Sequence, residues 1–134
     1  MRSLLEYCSV VWYSILTGDQ SHNLERVQKL CLRIILGEDY CGFDSALDSC
    51  GLEKLSVRRE AKCLKFGLKS LLHPTHSSMF PVNPQVLTNP DNARSSEHFL
   101  VNFSRTESYG DSTIPYIQKM LNKLVQNQQR TESV

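Results

Sequence analysis

Apolar residues recur at helical spacing through the first half of the chain and lose that rhythm after Pro74. Leu5, Cys8, Trp12 and Ile15 stand 3-4-3 apart, which predicts one helix over residues 2–16. Thr17 and Gln20 then have the spacing of a capping box, the hydroxyl accepting from the backbone and the amide reaching back. A second helix runs to residue 36 and stops at Gly37, a residue suited to left-handed geometry. Its Leu24, Val27, Cys31 and Ile34 make a narrow seam expected to be buried, widened by Leu30 and Ile35. A short helix over residues 44–50 closes at Gly51. Ser56 caps a third long helix that reaches residue 72, with Pro74 as the stop. There Val57, Ala61, Leu64, Leu68 and Leu71 mark the face expected against the core, and Gly67 costs about 1 kcal/mol relative to Ala.

Beyond that point Pro74, Pro81, Pro84 and Pro90, with Asn83, Asn89, Asn92, Ser95 and Ser96, interrupt any regular period. Residues 74–113 are therefore expected as an extended, largely irregular arm, disordered or docked on something else. Within it residues 98–104 alternate Phe99, Val101 and Phe103 with Leu100 and Asn102, the pattern of a single strand. A lone strand cannot satisfy its own backbone. Ile114 and Pro115 open a last amphipathic helix over residues 114–125, carrying Ile117, Leu121 and Leu124, and residues 126–134 read as a disordered polar tail. The expected fold class is mainly α: a small helical bundle over residues 1–73, then the extended proline-rich arm and the final helix. The chain contains no internal repeat.

A length of 134 residues fits one domain. Hydrophobic content of 40% is a little low for a compact globule, and a mean hydropathy of −0.32 agrees. The formal net charge is only +1, so any affinity for nucleic acid must come from locally sorted cations. Five cysteines are an odd number, and no secretory signal precedes them, because Glu6 interrupts residues 4–16. That segment is too short and too polar to span a bilayer. The expectation is an intracellular protein with reduced thiols and no membrane association, with nucleus or cytoplasm left open. Cys8, Cys31 and Cys63 fall among apolar helical positions and are read as packing residues.

The sharpest chemical pattern lies on the third long helix. Arg58, Lys62, Lys65 and Lys69 stand 4-3-4 apart and project from one face, about 100° round from the apolar positions. Arg26, Lys29 and Arg33 form a shorter row of the same kind on the second helix. Such rows bind phosphate backbones through Coulomb attraction and counterion release, and four neutralised phosphates would give a salt slope of log K of roughly −3 to −4. The plainer alternative is a solvated helix face. No recognition-helix motif or aromatic stacking platform is evident, so sequence-specific readout is not expected.

Other chemistries find less support. Cys41, Cys50, Cys63, His73 and His76 share one stretch without a C-x-x-C pair, and His73 and His76 straddle a helix stop, so no metal site is expected. Nothing in the spacing selects a Cys–His nucleophile pair, and no phosphate cradle or other cofactor signature appears. Asp39, Asp44 and Asp48 border the short helix as capping or dipole-favoured groups. Trp12 falls on the apolar seam of the first helix and is expected in the core, with Tyr13 beside it as the alternative partner anchor.

The run Leu5, Glu6, Tyr7, Cys8, Ser9, Val10, Val11, Trp12, followed by Leu24, Glu25, Arg26, Val27, Gln28 and Lys29, adds a family resemblance. Arg33, Ile34, Ile35, Leu36 and Gly37 continue it, as do Gly51, Leu52, Glu53, Lys54 and Leu55 with Arg58 and Arg59. Phe80 and Pro81, then Arg94, Ser95 and Ser96, extend it further. Phe103, Ser104, Arg105 and Thr106, then Tyr109, Ile114, Pro115, Tyr116, Leu121 and Asn122, complete the order. Together these resemble the C-terminal thumb and post-thumb region of reverse transcriptases from non-LTR (LINE-type, jockey/CR1-like) retrotransposons. Each motif is weak singly; their order and spacing over residues 2–122 carry the likeness. Val10 departs from it, standing where the family commonly has proline.

The resemblance implies helical elements that hold a template-primer duplex, RNA–DNA or DNA, beside a polymerase palm. By that analogy Arg58, Arg59, Lys62, Lys65 and Lys69 contact the backbone, Arg58 and Arg59 occupying the family's paired-arginine position. The palm with its metal-binding carboxylates is absent from this sequence, and Met1 falls where the family's chain would be entering the first helix. The expectation is a non-catalytic fragment of an RNA-directed DNA polymerase. The alternative is a helical protein-interaction module, pairing with the missing palm or with itself, or a relic without selected activity.

Overall fold

A computed structural model describes residues 2–88, 97–101 and 103–131 of the chain. The fold is mainly α, and among the described residues no strand forms. Among the described residues no helix is long and apolar enough to cross a membrane. Two compact units divide at Lys62 and Cys63, inside a continuous helix and not after residue 73.

The first unit opens with α1 (Arg2–Leu5), α2 (Ser9–Trp12) and a 3-10 turn (Tyr13–Ile15) in place of the single helix expected over residues 2–16. The break falls at Cys8, whose φ of 46° is left-handed. A non-glycine residue rarely adopts that geometry, so tertiary contacts must hold it. The indole N–H of Trp12 donates to the Tyr7 carbonyl at 2.8 Å, satisfying an acceptor at the break. Cys8 is exposed, against its expected packing role, whereas Cys31 is half-buried and Cys63 buried; among the described residues no disulfide forms.

Helix α3 (Gly18–Leu36) begins on the expected capping box: Thr17 Oγ1 accepts from the Gln20 N–H and Gln20 Oε1 from the Thr17 N–H. It ends on Gly37 at φ 54°, where a side chain would be strained. Helix α4 (Phe43–Ser49) packs against it, burying Leu32, Ala46 and Leu47 with Leu36, Tyr40, Phe43, Cys50 and Leu52 around them. Each leucine removed from water here contributes roughly 1.5–3 kcal/mol.

Helix α5 (Leu55–Leu72) starts one residue before the expected cap, and its first donors are satisfied by side chains from α3. Gln28 Oε1 accepts from the Leu55 N–H at 3.3 Å while its Nε2 donates to the Glu53 carbonyl. Glu25 Oε1 accepts from the Ser56 N–H at 2.6 Å. A carboxylate placed there also meets the positive end of the helix dipole.

The expected apolar seams are not the buried ones. On α3 the buried residues are Gln28 and Leu32, whereas Val27, Leu30, Ile34 and Ile35 are exposed. On α5 the buried edge is Leu55, Arg59, Cys63, Gly67 and Ser70, and Val57, Ala61 and Leu68 face outward. Polar side chains with committed partners and a close helix approach help select the inner edge, and hydropathy alone would not choose Gln28, Arg59 or Ser70.

In the second unit, α5 continues from Cys63 and is followed by a 3-10 turn (Ser77–Met79), α6 (Pro84–Thr88), α7 (Glu107–Gly110) and α8 (Thr113–Thr131). Helix α8 extends past the expected end at residue 125, so the first residues of the supposed tail are helical. A Cβ on Gly67 would lie 2.5 Å from Ile117 Cγ2, so glycine here permits the close approach of α8. The segment expected as a strand forms one bridge, Phe99 with Val82. Its backbone is completed by a side chain: Asn122 Oδ1 accepts from the Phe99 N–H at 2.7 Å and Asn122 Nδ2 donates to the Phe99 carbonyl at 3.0 Å. An amide on α8 thus substitutes for a neighbouring strand. Gln118 likewise donates to the Met79 carbonyl at 2.9 Å, tying α8 to the chain before Phe80. Residues 89–96, Asn102 and residues 132–134, with the Arg94–Ser95–Ser96 motif and Pro90, lie outside the described residues.

Candidate nucleic-acid interface

The basic row of α5 is partly neutralised. Glu6, whose side chain is only 5% exposed, accepts from Arg58 Nε at 2.7 Å and from Arg58 Nη2 at 3.1 Å, a bidentate charge-assisted pair. Its Oε2 also accepts from Lys62 Nζ. One buried carboxylate therefore holds two of the four aligned cations.

Arg59, expected by the resemblance to contact a backbone beside that row, points inward. It is fully buried, with its guanidinium carbon 5.8 Å from the Trp12 ring centroid and 5.6 Å from that of Tyr13. Nη2 donates to Glu25 Oε1 at 3.3 Å, while Nε and Nη1 find no partner among the described residues. The aromatic rings offset part of the cost of burying that cation. Arg59 organises the interior of this unit and reaches no external ligand. Lys65 and Lys69 are exposed on α5 and make no ion pair among the described residues.

The shorter row on α3 stands differently. Arg26, Lys29 and Arg33 are exposed and make no ion pair among the described residues. They occupy about 10 Å of helix at 1.5 Å rise per residue. All three line an open cleft of about 790 Å³, together with His22, Val27, Leu30, Phe43 and Lys54. The Arg33 guanidinium carbon lies over the Tyr40 ring, 5.7 Å from its centroid. Lys54 is engaged by Asp44 at 2.9 Å, and that hydrogen bond and charge raise its pKa above the ordinary lysine value.

No family model matches the chain, and no curated protein or solved structure matches it. The site's chemistry must therefore be argued from its own groups. Three unpaired cations on a concave surface can neutralise phosphates; they offer no nucleophile or general base. His73 and His76 sit with ring centroids 4.5 Å apart, but His73 Nδ1 already accepts from the Thr75 N–H. Among the described residues no three His, Cys, Asp or Glu side chains converge on a point that could hold a metal.

Reading the sequence for cationic rows located Arg26, Lys29 and Arg33 but missed the residues that decide which row is free. Glu6, Glu25, Tyr40, Phe43 and Lys54 are those residues. Glu6 carried one signal, being the sole acid before Asp19 in a segment otherwise apolar. Glu25 carried none, since its partners are more than thirty positions away.

Proposed function

We propose that this chain is a non-catalytic, nucleic-acid-handling helical protein, kin to the thumb and post-thumb region of non-LTR retrotransposon reverse transcriptases. It grips the sugar-phosphate backbone of RNA–DNA or DNA without reading sequence. The observation supporting this is the unpaired row Arg26, Lys29 and Arg33 along one wall of a cleft. The ordered motifs over residues 2–122 supply the kinship. With three phosphates neutralised, the slope of log K against log salt is roughly −2 to −3. Fluorescence anisotropy with an RNA–DNA duplex and with single strands, across a salt series, tests it. Replacing the three cations with glutamate abolishes binding; no affinity at low salt in the unaltered protein rules the reading out.

A second reading is favoured by a separate observation. Val27, Leu30, Ile34 and Ile35 on α3 and Val57 on α5 are all at least 39% exposed in the first unit, and exposed apolar side chains are what a partner surface would cover. A protein-interaction module would cover them with a polymerase palm or a second copy. Sedimentation velocity separates the cases, since a strictly monomeric and well-folded protein removes the self-association version.

A further inference from the structure

We infer that the α3 cleft takes single-stranded nucleic acid in preference to duplex, an inference that rests on the backbone-binding reading above and specifies its substrate. The observation is an interleaving. Arg26, Lys29 and Arg33 alternate with Val27 and Leu30 along the same wall, and the two aliphatic side chains are 39% and 57% exposed. Phe43 adds an aromatic ring to the lining, and Glu25 one carboxylate. Arg33, which also lines the cleft, has its guanidinium carbon over the Tyr40 ring at 5.7 Å.

A duplex keeps its base faces stacked inside and presents phosphates and sugars. Against this wall it would satisfy the cations while drying the aliphatic residues for no return. A single strand presents both chemistries: phosphates for Arg26 and Lys29, and unstacked bases for Val27, Leu30, Phe43 and the backed plane of Arg33. Bases stack on guanidinium planes as they do on aromatic rings. Concavity points the same way. A cleft of about 790 Å³ is on the scale of small-ligand sites and large enough for a nucleotide or two. An acidic amphipathic peptide shares the charge and the apolar edge, but it gains nothing from the plane of Arg33.

The test uses the full chain with a labelled single strand of about a dozen nucleotides and a duplex of the same sequence. The single strand binds at least about fivefold tighter than the duplex. Leu30→Asn, at an exposed position, lowers single-strand affinity about fivefold or more and leaves duplex affinity unchanged, and Arg33→Lys lowers single-strand affinity by about fivefold more than it lowers duplex affinity. Arg33→Lys keeps the charge and removes the plane, so its effect cannot come from the net charge. The inference is overturned if the duplex binds as tightly, if both variants weaken the two ligands alike, or if polyglutamate of equal charge displaces the strand as readily. If neither nucleic acid binds at low salt, the backbone-binding function itself fails, and this inference with it.

Discussion

Two rows of cations, on α3 and on α5, have nearly the same spacing and opposite fates. On α5, Arg58 and Lys62 close on the buried carboxylate of Glu6, and Arg59 turns inward between Trp12 and Tyr13. On α3, Arg26, Lys29 and Arg33 stand free along a cleft. Helical spacing determines which side chains share a face. Whether that face is available depends on acids delivered from elsewhere in the chain, here Glu6 from the turn after α1. The longer row is the more conspicuous in sequence and the less accessible in space.

The difference can be attacked from the α5 side first. Arg59→Ala removes a buried cation and leaves Glu25 with a lost partner and a void between two rings. The expected loss is about 3–5 kcal/mol in urea unfolding. Arg59→Met, filling similar space without a charge, should cost far less, because Glu25 keeps the Ser56 N–H. A loss below about 1 kcal/mol for the alanine variant would place Arg59 at the surface beside the basic row.

Glu6→Gln has a smaller effect on stability, about 2 kcal/mol, since the amide retains part of the hydrogen bonding to Arg58. It has a gain to match: Arg58 and Lys62 become available, and the salt slope for duplex steepens by about one to two. Glu60→Gln, at an exposed position on the same helix, changes net charge equally but should move stability by less than about 0.5 kcal/mol. If both variants steepen the slope alike, Glu6 is not what restrains the row.

The smallest effect is expected at Lys54. Asp44 raises its pKa, so any stabilisation from the pair is fully present below the unfolded lysine value, about 10.4, and fades as pH climbs through the higher folded value. Between pH 6 and 9 (roughly) the difference between the unaltered protein and Lys54→Met should therefore be constant, with convergence only in the alkaline limb. A difference that varied across neutral pH would mean the pair is not Lys54 with Asp44.

Local signals in the sequence were reliable because their physics is local. The Thr17–Gln20 capping box, the stops at Gly37 and Gly51 and the end of α5 before Pro74 depend on residues a few positions apart. The inward faces of the helices were not legible. Leu55, Arg59, Cys63, Gly67 and Ser70 form the buried edge of α5 because Glu25 and the two rings hold Arg59 and because Ile117 needs the space beside Gly67. Val57 and Leu68, better candidates by hydropathy, are left outside. The break at Cys8 has the same origin, since no glycine or proline marks it and the contacts of Glu6 and Trp12 lie on either side. Of the candidate interface, the α3 row could be read directly, whereas the cleft wall formed by Phe43 and Lys54 required the turn of the chain after Leu36.

Everything functional here turns on the α3 cations being the ones that meet phosphate. Arg26→Gln, Lys29→Gln and Arg33→Gln combined should flatten the salt dependence of nucleic-acid binding by about two to three units of slope, with the urea midpoint unchanged. A variant that folds normally and keeps the original slope would show that backbone contacts are made elsewhere, and would return the α3 cleft to the status of an ordinary solvated face.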